Sequence, residues 1–308
     1  MNDPIRIDDA TLQTLIDRAE LLHIAAISPA DCGRVDITRE LDVLRTRLTE
    51  HRDKHLQPWF VLIDESIQFF IQFERYLYEV PLSENLMSYA ITVSRLKRDL
   101  ISIRELLAIG QDIAAKVLAR TFVENTEIAM ALALSEETCK AFAQMNDTNA
   151  FWNKHIGYGR VYEQMLQYAV ACDVDEVHAT QLIERHREAK RAFSDSTHGG
   201  RNSSLFGAFS PSLTKSEEVH FLSLGAHTWQ TQFLALFVAQ ETQAFAGSMV
   251  KGTMRPNPLH LYKNFRTSGR FMNAAASAHV LQELLGRYES VLEARMRQSG
   301  ANQTPIGK

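Results

Sequence analysis

The segment PWFVLIDESIQFFIQFERYLYEV, Pro58 to Val80, decides the fold class. Its aromatic residues are spread almost all around a helix instead of lying along one face. A helix that is apolar on every side needs partners on every side. The segment therefore predicts either a central core helix or a helix shared across a dimer interface. The aromatic residues are Phe60, Phe69, Phe70, Phe73, Tyr76 and Tyr78.

Helical spacing of apolar residues continues on both sides of this segment, and no convincing strand alternation interrupts it. The 308 residues include only 14 glycines and 8 prolines, whereas average usage gives about 22 and 15. Because these residues break helices and build tight turns, their scarcity favours long helices with few turns. The sequence predicts an all-α fold, a multi-helix bundle of about nine or ten helices with no sheet.

The same spacing predicts where the helices begin and end. An almost continuous pattern over 83–145 is interrupted near Gly110 and near Ser135. Asp173 and Thr214 are each followed three residues later by a glutamate, the pattern of a capping box at a helix start. The other predicted helices cover 9–27, a charged run ending near 55, 161–171, 174–197, 214–245 and 259–297. Residues 198–213 have no periodicity and are predicted to form a mobile loop.

Three parts of the chain are distinguished. We predict an N-terminal helical hairpin over 1–57, a main helical bundle over 58–298 and a disordered tail over 299–308.

Composition excludes several classes of protein. A net charge of −4 does not favour nucleic-acid binding, which needs clustered Lys and Arg. Three widely spaced cysteines form neither a disulfide framework nor a CxxC metal site. The most apolar segment, FLALFVA at 233–239, is far shorter than the roughly 20 residues of a membrane span. With an acidic N-terminus that does not resemble a secretory signal, the sequence predicts a cytoplasmic protein without a membrane partner.

Histidines raise the question of a metal site. Two Glu-x-x-His pairs match the spacing of di-iron ligands in helical bundles, although short patterns of this kind arise by chance. His51 and His55 lie one turn apart in the polar run TEHRDKH, which indicates a solvated helix face. No Walker loop, GxGxxG or GxSxG motif is present. We therefore predict no metal and no cofactor. The two pairs are Glu20 with His23 and Glu217 with His220.

Two other helical segments carry the candidate catalytic residues. The first segment is LARTFVENTEIAMALAL, residues 118–134. Between its apolar core positions it has three polar residues at i, i+4 and i+7, namely Arg120, Glu124 and Glu127. The second segment is KRAFSDSTHGGRNSS, residues 190–204. The same spacing is repeated there by Arg191, Asp195 and His198. Ser194 lies four residues before His198.

Two interpretations of these segments stay open. In one, the polar sides form ion pairs that fasten one helix to its neighbour. In the other, they form a phosphodiester site. An arginine would stabilise the charge that develops on phosphate, and His198 would transfer a proton.

The stretch ARTFVENTEIAMAL resembles the Arg-x-x-x-Glu helix of domain-of-unknown-function family 5677, a large group of bacterial helical proteins. The second mark of that family is a helix ending in Ser-x-x-x-His, seen here from Ser194 to His198. The resemblance covers roughly 83–245 and implies a helical fold more than an activity.

The spacing from Arg191 to His198 is also similar to the Arg-x4–6-His signature of HEPN ribonucleases. These are helical bundles that commonly dimerise to form a metal-independent RNA-cutting cleft, and many act in toxin or antiviral defence systems. Ala192 stands where that family usually has Asn, Asp or His after the arginine.

Two classes of function follow, and the sequence leaves open whether the protein is an enzyme. The first is a helical regulatory or interaction protein, part of a bacterial defence or stress assembly, with a homodimer formed through the aromatic helix 58–80. The alternative is a metal-independent HEPN-like ribonuclease acting on RNA. Its roles would be His198 as general acid/base, Arg191 or Arg120 on the phosphate, and Glu124 and Asp195 as orienters.

Overall fold

The structure, a computed structural model, describes residues 37–197, 227, 229–255 and 259–301. The chain divides into two compact units, Met1–Val43 and Leu44–Lys308. Only residues 37–43 of the first unit are described, as the start of a helix. The predicted helix over 9–27, the predicted loop over 198–213 and the capping box at Thr214 lie outside the described residues.

The described residues form ten α-helical segments and contain no strand, which confirms the predicted all-α bundle. Single π-helical turns, Arg52–Leu56 and Trp152–Ile156, follow α1 and α6, and a 3-10 turn, Tyr262–Asn264, precedes α10. None of the helices in these ranges has the length and apolar character needed to cross a membrane. The helices are α1 Ile37–His51, α2 Gln57–Leu77, α3 Glu84–Ala108, α4 Asp112–Leu134, α5 Glu136–Ala143, α6 Thr148–Phe151, α7 Arg160–Ala171, α8 Glu176–Thr197, α9 Trp229–Met254 and α10 Gly269–Ala301.

Helix α2 is the central helix of the second unit. It packs against α3, α9 and α10. The ring of Phe70 stacks on Phe245 of α9 at a centroid distance of 5.8 Å, and Tyr76 meets Phe271 of α10 edge-on at 5.3 Å. Of the six aromatic residues singled out in the sequence, only Tyr78 at the end of α2 is exposed. The prediction of a core helix is confirmed.

Helix α4 is the second centre of packing, in contact with α3, α7, α8 and α9. Both predicted interruptions beside it are confirmed. Gly110 takes a left-handed conformation (φ +68°) between α3 and α4, where glycine avoids a Cβ clash. Ser135 ends α4 and caps α5, because its hydroxyl accepts a hydrogen bond from the Thr138 amide at 3.1 Å.

Two predicted helix starts are wrong. Asp173 does not cap α8, because it is left-handed (φ +65°) and its amide bonds back to the end of α7. Asp175 takes that role, with its carboxylate accepting from the His178 amide at 3.0 Å. The last helix begins at Gly269 instead of near 259, because the chain first makes a 3-10 turn and buries the ring of Phe265 in the core.

Candidate functional site

Helices α4, α8 and α9 meet around a line of charged side chains that runs from the surface into the core. We call this line the polar network. It lies where α4 packs against both α8 and α9, and its innermost side chains are almost fully buried. Its members are Arg120, Glu124 and Glu127 of α4, His186 and Lys190 of α8, and Glu241 of α9.

The outer half of the polar network joins α4 to α8. Arg120 Nε donates to Glu124 Oε1 at 3.2 Å, which confirms the predicted i,i+4 pair. Lys190 Nζ lies 3.8 Å from the same Glu124 oxygen and donates to both oxygens of Glu127, at 2.9 and 2.7 Å. The Arg120 and Glu124 side chains are about one quarter exposed, whereas Glu127 is fully buried.

The inner half surrounds the imidazole of His186, which is only 1% exposed. His186 Nε2 lies 3.0 Å from Glu127 Oε1, and His186 Nδ1 lies 2.7 Å from Glu241 Oε2. Ionised carboxylates only accept hydrogen bonds, so both ring nitrogens donate and the ring is an imidazolium. Two buried carboxylates are thereby matched by two cations, His186 and Lys190.

The pKa values are consistent with this charge assignment. Burial opposes the charged form of His186, but the charges of Glu241 and Glu127 and their hydrogen bonds raise its pKa to about 9. Burial also acts to raise the pKa of Glu127. The hydrogen bond and charge of His186 together with the charge of Lys190 outweigh that effect and lower the pKa of Glu127. Both groups are therefore charged at neutral pH.

The inner half of the polar network has no space for a substrate. The cavity beside His186 and Glu241 has a volume of about 30 Å³, which is room for about one water molecule. Because both nitrogens of His186 already donate to carboxylates, neither is available to exchange a proton with a bound molecule. This arrangement is suited to cross-linking three helices.

Two of the sequence-predicted site residues are described on α8. Arg191 is exposed and Ser194 is half-buried, while the side chain of Asp195 and all of His198 lie outside the described residues. The structure thus brings Arg120 and Glu124 to α8, as expected. The imidazole of the polar network is that of His186, which bonds to Glu127 and Glu241 and which the sequence analysis missed.

Three arginines lie near Tyr162 of α7. Burial and the charge of Glu127 raise the pKa of the Tyr162 hydroxyl, and Arg187, Arg191 and Arg120 act to lower it. The guanidinium of Arg187 lies over the Tyr162 ring at 5.5 Å from its centroid. Among the described groups, Nη1 of Arg120 is buried without a hydrogen-bond partner. This surface could bind an anion.

His186 and Glu241 do leave a signal in the sequence. His186 lies three residues after Ile183 and seven before Phe193, within the buried stripe of α8. Glu241 lies three residues after Val238 and four before Phe245, within the buried stripe of α9. Ionisable residues in an apolar stripe need buried partners of opposite charge, so both positions indicate a network.

A different surface feature runs along the outside of α3. Five exposed residues follow one another at spacings of three or four, and we call them the α3 stripe. Beside its apolar end lies an open groove of about 540 Å³, lined mainly by Leu82, Met87, Ile91 and Phe142. Leu82 is 72% exposed and Ile91 is 53% exposed, so large apolar side chains project at the edge of the groove. The stripe consists of Glu84, Met87, Ile91, Arg95 and Arg98.

In the ranges that the structure describes, no three or more His, Cys, Asp or Glu side chains are arranged to hold a metal ion. No protein-family model, curated protein or solved structure matches the chain. Functional conclusions therefore rest on the geometry above.

Proposed function

We propose that the chain is a helical interaction protein whose working surface is the α3 stripe with its groove, and that it binds a second copy of itself there. The observation that carries this proposal is the exposure of Leu82, Met87 and Ile91 beside one groove. Contiguous apolar side chains on a surface are typical of binding sites, whereas single exposed ones are ordinary.

The order of residues in the α3 stripe supports self-association. Glu84 lies seven residues before Ile91 and Arg98 lies seven after it, while Met87 and Arg95 lie four before and four after. If two antiparallel α3 helices cross at Ile91, Glu84 of each copy faces Arg98 of the other. A two-fold interface brings one patch against itself, and this patch is complementary to itself in charge.

The aromatic helix contributes only its end to this interface. The other five aromatic residues singled out in the sequence are buried within the chain, but Tyr78 is 81% exposed and lies four residues before Leu82. In this proposal, the homodimer expected from the segment 58–80 forms around the connection from α2 to α3.

The polar network has a structural role in this proposal. It fastens α8 to α4 and α9, as one of the two sequence interpretations expects, and it keeps His186 away from solvent. Within the described residues, Cys139 and Cys172 are buried free thiols. Free thiols are consistent with a protein of the reducing cytoplasm. The proposed setting in a bacterial defence or stress assembly comes from the sequence resemblance alone.

The mass of the purified chain in solution, measured by light scattering across the micromolar range, tests the proposal. We expect wild type to approach twice the 34.9 kDa of one chain, and Ile91→Glu to remain monomeric because two buried carboxylates would face each other. Val177→Glu is the matched control, since Val177 is similarly exposed, at 66%, on α8. A monomeric wild type, or a dimeric Ile91→Glu variant, would contradict the proposal.

A second candidate function is a metal-independent HEPN-like ribonuclease. The arginines around Tyr162 and the unpartnered Nη1 of Arg120 favour it, because guanidinium groups bind phosphate. The roles are those expected from the sequence. His198 transfers the proton, Arg191 or Arg120 contacts the phosphate, and Glu124 and Asp195 orient them.

Growth arrest on expression and cleavage of total RNA test this second candidate. If the protein is a ribonuclease, wild type and the exposed-histidine control His178→Ala cut RNA, and His198→Ala does not. RNA left intact by wild type, or cut equally by His198→Ala, would exclude it. The dimer measurement uses other variants, because Ile91 is none of the residues given these roles.

A further inference from the structure

Three histidines come together where α1 ends and α9 begins. His51 is the last residue of α1, His55 lies in the π-helical turn that follows, and His227 lies two residues before α9. His51 Nδ1 and His227 Nδ1 are 3.0 Å apart. The ring centroid of His51 lies 5.2 Å from that of His227 and 5.0 Å from that of His55.

The ring of His227 is held with a lone pair facing His51. Its Nε2 lies 3.0 Å from the carbonyl oxygen of Leu107. Because a carbonyl oxygen only accepts, Nε2 carries the hydrogen, and in the neutral ring Nδ1 is then the unprotonated nitrogen. A histidine that binds a metal through one nitrogen commonly donates its other N–H to a backbone carbonyl in this way.

The distance between the two nitrogens is close to that of a shared metal ion. Two imidazoles on one tetrahedral ion, with metal–nitrogen bonds of about 2.0–2.1 Å, hold their ligand nitrogens about 3.3 Å apart. The observed separation of 3.0 Å is that of a hydrogen bond and requires only a small opening to admit an ion. The ion then replaces the hydrogen between the nitrogens, and His51 carries its proton on Nε2.

His55 is placed to supply a third nitrogen. It is exposed, so its ring is free to turn toward the pair when an ion binds. That turn is needed, because the described residues hold no ready-made set of three ligands. The π-helical turn Arg52–Leu56 is itself uncommon, and such turns occur frequently at functional sites.

One nearby charge opposes a cation. Burial lowers the pKa of His227 most, and the charges of His51 and Arg52 lower it further. The guanidinium of Arg52 is paired with the Asp53 carboxylate at 2.8 Å, which offsets part of that charge.

We propose that His51, His55 and His227 form a binding site for a borderline transition-metal ion, Zn²⁺ in the first instance, that ties the end of α1 to the start of α9. Imidazole is a preferred ligand of such ions, and three histidines leave a fourth position for water. This inference departs from the sequence expectation that His51 and His55 lie on a solvated face without a metal.

Calorimetric titration of the tag-free, metal-free full chain with Zn²⁺ tests the site. We expect one ion per chain, and at least about tenfold weaker binding for His51→Ala and His227→Ala. His55→Ala should also weaken binding, and because its side chain is exposed we expect this variant to fold as wild type does. His178→Ala and His279→Ala, which remove other exposed histidines, should bind as wild type does.

X-ray absorption of the zinc-loaded chain provides a second readout. We expect a first shell of nitrogen and oxygen at about 2.0–2.1 Å with imidazole scattering. Any one of three results would overturn the proposal. These are the absence of saturable Zn²⁺ binding, sulfur in the first shell, and wild-type Zn²⁺ affinity in both His227→Ala and His55→Ala. Ile91→Glu should leave Zn²⁺ affinity unchanged, so the site and the dimer are tested separately.

Discussion

His186 is the side chain on which the interior depends most. It is a charged group at 1% exposure, held between two carboxylates from different helices. Removing one member of a buried ion-pair network leaves its partners charged and desolvated, and that penalty is much larger than the net value of the network. Substituting His186 alone should therefore change the free energy of unfolding by a measurable amount.

His186→Ala should lower the free energy of unfolding by about 3–5 kcal/mol, because Glu127 and Glu241 lose their shared partner. Urea denaturation followed by circular dichroism measures the change. His178→Ala, which removes an exposed histidine from the same helix, should stay within about 0.5 kcal/mol of wild type. Equal stability of the two variants would mean that the polar network does not cross-link the helices.

Stability should also depend on pH through His186. Its pKa rises from 6.5 to about 9 on folding, so its contribution is complete below pH 6.5 and is lost as the pH rises toward 9. The pKa of Glu127 is lowered from 4.5, so its contribution is present above pH 4.5 and is lost on acidification. Unfolding measured at pH 6, 7.5 and 9 should show an alkaline decline. A decline of equal size in His186→Ala would contradict this assignment.

The sequence predicts some of these contacts and misses others for a physical reason. Arg120 and Glu124 are one turn apart, so the helical period alone pairs them. His186 lies 59 residues from Glu127 and 55 from Glu241. Spacing within α8 shows that His186 is on the buried face, but only the packing of α8 against α4 and α9 identifies its partners.

At the scale of helices, the polar network is one way to join α4, α8 and α9, and apolar packing is another. Replacing the inner charged groups together with Lys190 leaves no buried charge without a partner. Such a variant should recover most of the stability that His186→Ala loses, because apolar substitutes for buried ion pairs are often neutral or stabilising. Urea denaturation compares the two, and a multiple variant less stable than His186→Ala would be the contrary result. The substitutions are Glu127→Leu, His186→Leu, Lys190→Met and Glu241→Leu.

The approach of α9 to the end of α7 provides an independent test of helix packing. A Cβ at Gly252 would lie 2.6 Å from Cys172 Sγ and 3.2 Å from the Tyr262 ring. Gly252→Ala should therefore cost about 1–3 kcal/mol of unfolding free energy despite the better helix propensity of alanine.

Gly247→Ala is the matched control on the same helix. Its Cβ would meet only the side chain of Gln243, at 3.6 Å. Thermal melts should show Gly247→Ala at least as stable as wild type and Gly252→Ala clearly less stable. Two equal melting temperatures would place α9 farther from α7 than the structure has it.

Helix positions were largely predictable because their signals are local. The cap at Ser135 and the break at Gly110 are read from single residues. The starts of α8 and α10 were missed because they are set by tertiary contacts. Asp173 closes α7 in a left-handed conformation, and Phe265 enters the core before α10 begins.

For the whole molecule, composition and helical spacing were sufficient to predict an all-α bundle and an α2 that is apolar on every side. They could not decide whether the aromatic side chains of α2 serve the chain's own core or a second copy, because both need the same apolar pattern. Packing decides it, since Tyr78 is the one exposed aromatic residue of that set. Because those side chains fill the chain's own core, our proposal assigns self-association to the α3 stripe and its groove.

The most direct test of self-association through the α3 stripe is the dimer dissociation constant, measured by sedimentation. It is compared between wild type, two variants that each reverse one charge of the stripe, and the double variant that reverses both. Glu84→Arg and Arg98→Glu should each raise the dimer dissociation constant about tenfold, because each reversal creates two contacts between like charges across the two-fold axis. The double variant restores opposite charges and should return to within about threefold of wild type. If the double variant is as weak as the two single changes combined, the proposed antiparallel pairing is wrong.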